Sequence, residues 1–431
     1  MTILEQYQQL HAGSIKLYED SLKTFPSGVT HDVRLLTPSP IYVDRAQGSH
    51  KWDVDGNDII DYVMGHGALI LGHSHPSLVK AITGQISKGT HYGANHKLEL
   101  DWSKLVKELI PSAEAVRFTS SGTEATQMAV RLARAYTGRD KILKFDYNFH
   151  GWTDTLVGKK GVEGDSLYSS GIPGGTLNNT VSVPQNDLEL VKAQLEKGDV
   201  AAVILEPTGA SWGTLPLPES FLHSLSKETK RHDTLLIFDE VITGWGRMGS
   251  AFGSQEFGVT PDLMTMAKAT TNGIVPMGVV ACKEEIYDAV MDASPKGTIE
   301  LFHGYTYSGI PVSVAAALAV QEIFEKDDIF NRAKDLTPYF QEAIFSLKDM
   351  DVVENIRGYG MMAGVDIKMD QKPGRAGFTC FKHCYEVGVN FKATGDCLII
   401  APMFISEKKH IDEIIEKLRT GISNYSKSKK N

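Results

Sequence analysis

The chain has 431 residues, 42% of them hydrophobic and 23% charged, the balance of an ordinary soluble globular protein. That length exceeds what one hydrophobic core serves, so two domains are expected. A net charge of −9 excludes nucleic acid as the main partner, because phosphate contacts need clustered Lys and Arg. The cysteines Cys282, Cys380, Cys384 and Cys397 form no C-x-x-C pair and read as buried or idle thiols in a reducing compartment. "MTILEQYQQL" has neither a basic n-region nor an apolar h-region, and "PVSVAAALAV" is far short of a membrane span. A cytoplasmic protein is expected.

Residues 41–63, "IYVDRAQGSHKWDVDGNDIIDYV", read as short strands separated by Gln47-Gly48 and Asp55-Gly56-Asn57, a small antiparallel meander. In "MGHGALILGHSHP", His66, His73 and His75 have no acidic or thiol partners at ligand spacing, so no metal is expected there. A turn before a helix starting at Pro76 is the better reading, with His66 a candidate for the wall of a substrate pocket. From about residue 115 apolar runs alternate with helical segments: Val116 to Phe118, Ile142 to Phe145, Ala201 to Leu205, Leu235 to Phe238 and Leu263 to Met266. That alternation predicts an α/β domain with a largely parallel sheet. After about residue 320 helices and separated strands such as "MAGVDI" and "CLIIAPM" predict a smaller α+β domain, to which the N-terminal meander is also assigned. The divisions are 1–65, 66–318 and 319–431. The final helix carries Ile411, Ile414, Ile415, Leu418 and Ile422 on one face, and the basic "SKSKKN" after it reads as a frayed, solvated tail.

Three features carry chemistry. Gly244-x-Gly246-x-x-Gly249 has the spacing of a dinucleotide fingerprint, but two acidic residues and "VIT" separate it from its strand and no helical pattern follows. A tight loop is expected instead. In "FTSSGTEATQMAVRLARAY", Ser121, Gly122 and Thr123 follow a strand and open a helix whose apolar face is Ala125, Met128, Ala129, Leu132, Ala133 and Tyr136. Free backbone N–H groups there suit a phosphate, with simple N-capping by Ser or Thr as the competing reading. Lastly, three strands end in Glu206, in Asp239 and just before Lys268, and ligands of open α/β sheets bind beyond such ends. A lysine, a carboxylate and a phosphate cradle together suit pyridoxal 5′-phosphate.

"SSGTEA", "FHG" at 149–151, "LEPTGASWG", "IFDEVITGWGR", "AKATTNGIVPMG" and "HGYTYSGIP" resemble the class III, fold-type I pyridoxal-phosphate-dependent aminotransferases, over about residues 20 to 425. The resemblance implies that Lys268 bonds the cofactor and Asp239 pairs with its ring nitrogen. Val241 would pack behind the ring, and Phe149, next to His150, would stack in front where many relatives have Tyr. Gly122 and Thr123 would hold the phosphate, helped by Thr306 from the other subunit of a homodimer, with Glu206 beside the cofactor. Trp212 is assigned to packing or the pocket wall.

Two branches of the family are represented. "FPSGVTHDVR" and "WDVDGNDIIDYVMGHGALILGHSHP" resemble glutamate-1-semialdehyde 2,1-aminomutase, whereas "FHGYTYSGIPV" and "ENIRGYGMMAGVDI" resemble the ω-amino acid:pyruvate branch. The aminomutase patterns "GGGLP" and "GTLSGNP" are replaced here. The expected activity is therefore transfer of an amino group between an amine or ω/β-amino acid and an oxo acid, with intramolecular transfer as the alternative. A catalytically idle relative is opposed by the intact Lys268, Asp239 and Glu206. Arg34 is expected to hold a substrate carboxylate. Lys392, in "FKATGD", stands where many ω-aminotransferases have a mobile arginine, and is expected to point to solvent and leave that work to Arg34.

Overall fold

A computed structural model describes residues 3–161, 166–167, 170–209, 215–298, 301, 303–369 and 374–429. Its centre is a sheet whose strands run in the order Ala115–Thr119, Gly278–Cys282, Leu263–Met266, Leu235–Asp239, Val200–Leu205, Lys141–Phe145, Thr180–Val183, Lys159–Gly161 and Ser166–Leu167. Pairing is parallel from Leu263–Met266 across to Thr180–Val183. Gly278–Cys282 is antiparallel to both its neighbours, so Ala115–Thr119 again points the same way as the parallel strands. The carboxyl ends at Thr119, Phe145, Val183, Leu205, Asp239 and Met266 therefore face one edge of the sheet.

The strands Val200–Leu205 and Leu235–Asp239 are buried along their whole length, which is why they read as unbroken apolar runs. One face of the sheet packs against the helix Gly122–Thr137 through Ala125, Met128, Ala129, Leu132 and Ala133. Tyr136, expected on that face, is instead exposed at the last turn before the left-handed Gly138 cap. The other face is covered by the helices Leu188–Leu195 and Glu219–Arg231 through Val191, Leu195, Leu222 and Leu225.

The N-terminal meander forms as Val43–Gln47, His50–Asp53 and Asp58–Asp61, and gains a parallel fourth strand, Val389–Asn390, from the distant C-terminal part. The C-terminal part has its own antiparallel sheet, Val353–Tyr359, Met362–Ile367, Cys397–Ile400 and Lys392–Thr394. The helix Ala376–Glu386 and the final helix Lys408–Ser428 pack together beside it. That last helix includes Ser426 to Ser428, so the basic terminal run is helical through Ser428 rather than frayed from its start. All four cysteines are buried.

Candidate active site

The loop after Asp239 contains Gly246 at φ 90° and Gly249 at φ 111°, and a Cβ on Gly244 would sit 2.8 Å from the Glu240 carbonyl. It is a run of turns with no helix opening at the third glycine, so the dinucleotide geometry is absent. Glu240 serves that loop. It is fully buried and accepts from Thr243 Oγ1 at 2.5 Å, Gly253 N at 3.0 Å and Ser254 N at 2.8 Å. Burial raises its carboxyl pKa despite those bonds.

A cavity of about 340 Å³ opens at the carboxyl edge of the sheet. Ser121, Gly122, Thr123, Phe149, His150, Glu206, Asp239, Val241 and Lys268 all line it. Sequence positions up to about 150 residues apart meet there because each follows a strand of the same sheet.

Ser121 is the N-cap of the helix Gly122–Thr137, its Oγ accepting from Glu124 N at 3.1 Å, while Glu124 reaches back to Ser120 N at 2.6 Å. Capping and an anion site thus coexist, since the first turn still presents N–H groups that have no intrahelical acceptor. A Cβ on Gly122 would come within 3.2–3.4 Å of Val241 and Ala267. The 149–151 loop folds onto the same helix end: Thr126 Oγ1 donates to the His150 carbonyl at 2.7 Å, and Trp152 N donates to Thr123 Oγ1 at 3.2 Å. Gly151, at φ 92°, lies so close that a Cβ would sit 2.7 Å from Thr123 Cα.

Asp239 is held from three sides. His150 Nδ1 is 2.8 Å from one carboxylate oxygen, and the other accepts from Val241 N at 3.2 Å and Thr265 Oγ1 at 3.1 Å. His150 is fully buried, and its Nε2 has no hydrogen-bond partner among the described residues. The buried Glu206 accepts from Phe149 N at 2.8 Å, and its own N–H donates to Asn148 Oδ1 at 2.8 Å, so it fixes the loop carrying the exposed Phe149 ring. Lys268 begins a short 3₁₀ turn with φ 48°, a left-handed backbone of the kind that surrounding structure must impose. Burial lowers its ammonium pKa, against the opposing charges of Asp239 and Glu206, and Lys392 lowers it further.

A second cavity, of about 380 Å³, holds Arg34, His66 and Lys392. His66 stacks on His31 with ring centroids 4.8 Å apart and 13° between planes. Burial, with the charges of His31, Lys268, Arg34 and Lys392, pushes His66 down to about 4. Lys392 departs from the sequence expectation. It opens the strand Lys392–Thr394, is half-buried, and lines this cavity together with residues of the N-terminal segment instead of pointing to solvent. Burial lowers its pKa, while Glu206 and Asp32 pull the other way. His73, dismissed as a metal ligand, is 2.7 Å from the buried Asp61, which also pairs with Lys51 at 3.0 Å. Burial works against ionisation of Asp61, but Lys51 and His73 outweigh it and hold the carboxyl at about 2. The helix Pro76–Ile86 follows, as its proline signalled.

Thr306 does not line this chain's own cavity. It is exposed, and its carbonyl accepts from His91 Nε2 at 2.6 Å. Trp212 falls outside the described residues. Sequence reasoning missed Asn148, Thr265 and Ala267, as well as the His150–Asp239 pair. A hydroxyl one residue before a strand end and a histidine after an aromatic were the available signals, and neither is specific alone.

The class-III aminotransferase family model matches residues 34–422. Glutamate-1-semialdehyde 2,1-aminomutase 2 of Brevibacillus brevis is 39% identical over 358 residues, which are 81% of this chain and 82% of that protein. The omega-aminotransferase of Caulobacter vibrioides is 34% identical over 412 residues, 88% of this chain and 93% of its own. Among solved structures, an omega-transaminase from Sphaerobacter thermophilus superimposes with a TM-score of 0.83 at 28% identity, covering 96% of this chain and 98% of that one. A transaminase with PLP bound gives 0.84 at 28% identity with the same coverage. The chain belongs to the class-III aminotransferases. It is a fold-type I enzyme that works with pyridoxal 5′-phosphate.

Proposed function

We propose that the protein moves an amino group between an amine or ω/β-amino acid and an oxo acid, pyruvate or 2-oxoglutarate. The observation that carries this reading is the meeting of Lys268, Asp239 and an open helix N-terminus in one cavity at the sheet's carboxyl edge. The lining suits pyridoxal phosphate on its own terms. Ser121, Gly122 and Thr123 would take the phosphate, and Gly122 leaves room that a Cβ would take up. Val241 and Phe149 would lie against the two faces of the ring. Asp239, fixed by His150, Val241 and Thr265, would hold the proton on the ring nitrogen.

When bound, the cofactor supplies an electron sink for the bond being broken at the substrate carbon. Lys268 Nζ would anchor the cofactor between turnovers, give way to the incoming amine, and then take the proton from the amine-bearing carbon. Burial favours this last role: a lowered ammonium pKa means the neutral, basic form is reached at a lower pH than for an ordinary lysine. Glu206 would keep Phe149 in place through its backbone. Arg34 would hold a substrate carboxylate, with His66 uncharged beside it at neutral pH.

The reading extends to a homodimer in the cytoplasm, divided into the 1–65, 66–318 and 319–431 segments expected from sequence. Phe149 and Trp152 near the cavity are 51% and 76% exposed, and Tyr147 on the same loop is exposed as well. Such neighbouring exposed aromatics favour cover by a second subunit, which would bring its Thr306 to the phosphate. Intramolecular amino transfer is the second reading, favoured by the identity to the Brevibacillus brevis aminomutase. A spectroscopic screen separates them. Conversion of the pyridoxal to the pyridoxamine form by amino donors, reversed only by an added oxo acid, supports the aminotransferase; turnover of one amino aldehyde with no oxo acid supports the aminomutase.

A further inference from the structure

The turn that carries Lys268 is held in an unfavourable shape. Lys268 has φ 48°, Asn272 φ 50° and Gly273 φ 65°, all left-handed. Glycine takes that conformation freely and asparagine tolerates it, but a lysine adopts it only where its surroundings over-determine the backbone. Within the turn, Gly273 N donates to the Lys268 carbonyl at 3.1 Å, and Trp245 Nε1 donates to Thr270 Oγ1 at 3.2 Å.

A further tie reaches 200 residues back along the chain. The Asn272 side chain, 2% exposed, accepts from Leu71 N at 2.8 Å and donates to the Gly72 carbonyl at 3.0 Å. Among side chains that tolerate a left-handed backbone, only asparagine offers an acceptor and a donor side by side. The two pieces also touch directly, since a Cβ on Gly273 would lie 3.0 Å from Ala68 Cβ. The clasped loop is fixed at other points. Asp61 pairs with His73 at 2.7 Å across its base and accepts from Val63 N at 3.1 Å, while Phe404 N donates to the Ile70 carbonyl at 2.8 Å. Asn272 thus joins an anchored loop to a strained turn, which is how a supporting side chain holds a reactive one in place.

We propose that Asn272 is a positioning residue: by clasping Leu71 and Gly72 it holds the turn on which Lys268 stands, so that Nζ meets the aldehyde carbon of the cofactor. The amine and the aldehyde join there through a carbon–nitrogen double bond, and a water leaves. The proposal rests on Lys268 being the bonding lysine. Without the clasp, the turn relaxes toward a right-handed backbone and carries Nζ away from the point of attack. Ser121, Gly122, Asp239 and Val241 stand on other elements and keep their places.

The test titrates the cofactor-free, full-length enzyme with pyridoxal phosphate and with pyridoxamine phosphate, which has an amine in place of the aldehyde and forms no bond to a lysine. Asn272→Gly keeps the left-handed backbone and removes the clasp. It is expected to lose about tenfold or more in affinity for pyridoxal phosphate, and to stay within about twofold of wild type for pyridoxamine phosphate. The absorption band of the lysine–cofactor bond should also grow in more slowly. Asn272→Asp, which keeps the size and the acceptor but not the donor, gives the same reading should the glycine variant fold poorly. An equal loss for both cofactor forms would show damage to the whole cavity, and no loss for either would show a bond that serves the fold alone. Each of these results overturns the proposal. Borohydride reduction of the wild type keeps the two levels apart. A label on another lysine overturns the role of Lys268, whereas a label on Lys268 with an unchanged affinity ratio in the variants overturns only that of Asn272.

Discussion

In the cofactor cavity each acidic side chain is fixed by neighbours at adjacent strand ends or in the loops just beyond them. Asp239 has His150, Val241 and Thr265, and Glu206 has the Phe149 backbone. In the second cavity the walls come from three remote stretches, residues 33–46, 51–73 and 378–393, and the guanidinium of Arg34 rests on one threonine. The difference follows from what each must do. A resident cofactor is best met by groups already in position, whereas a substrate that enters and leaves needs a rim that can yield. Losses in the first cavity should therefore be large and largely independent of substrate, and losses in the second small and substrate-dependent.

The largest effect belongs to Lys268. Lys268→Ala should abolish turnover together with the borohydride-reducible bond to the cofactor, because no other lysine lines that cavity among the described residues. Peptide mapping after reduction checks this, and a label on Lys144 would sink the assignment. Asp239→Asn should keep the cofactor yet lower kcat by about 10²–10³, about 3–4 kcal/mol, as when one preorganised electrostatic partner is lost. Near wild-type kcat would mean that the ring nitrogen is paired elsewhere.

Two smaller effects separate the cavities further. Gly151→Ala forces a Cβ against the Thr123 backbone at a left-handed φ, so about 1–3 kcal/mol of stability should go. Its melting temperature should fall without cofactor and with it, and an unchanged value would show that the loop has room to shift. Arg34→Ala should cost about thirtyfold in kcat/KM for carboxylated donors, about 2 kcal/mol for a charged hydrogen-bonded contact. Simple amines should be unaffected, so an equal loss for both donor classes would remove Arg34 from the substrate site.

The same contrast explains what the sequence made legible. The strands Leu263–Met266 and Leu235–Asp239 could be located to within one residue, because burial on both faces leaves a mostly apolar run, broken only at Thr265 and closed by Asp239. Glu206, Asp239 and Lys268 then followed from their place at strand ends. Gly278–Cys282 was overlooked as a strand: it is antiparallel to its neighbours and follows Leu263–Met266 with only the short 3₁₀ turn Lys268–Thr271 between them, so the alternation rule did not reach it. The second cavity was legible only at Arg34, His66 and Lys392. Phe378 and Phe381 sit on a helix whose periodicity reads as core packing, and nothing local brings them to face residues 33–46. The misjudged Lys392 shows the same gap. Its burial is a tertiary consequence: the strand it opens meets residues 33–46 around one cavity.

Lys392 gives the finest cut. A half-buried ammonium on the wall beside Arg34 is placed to share a carboxylate, as a point charge without the planar fork of a guanidinium. Lys392→Ala should raise KM for pyruvate or 2-oxoglutarate by about three- to tenfold, up to about 1.4 kcal/mol, and leave kcat nearly unchanged. The sign of the pH dependence follows from burial. Because the ammonium pKa is lowered, its charge is lost at a lower pH than an ordinary lysine's, so the wild-type KM for the oxo acid should climb as pH rises through that value. Lys392→Arg should flatten this alkaline climb, since a guanidinium stays charged throughout. A purely structural lysine would shift stability in the alanine variant but would not move the pH profile in the arginine one. If KM rises with pH equally in wild type and Lys392→Arg, the titrating group is another residue, and the oxo-acid carboxylate is held by Arg34 alone.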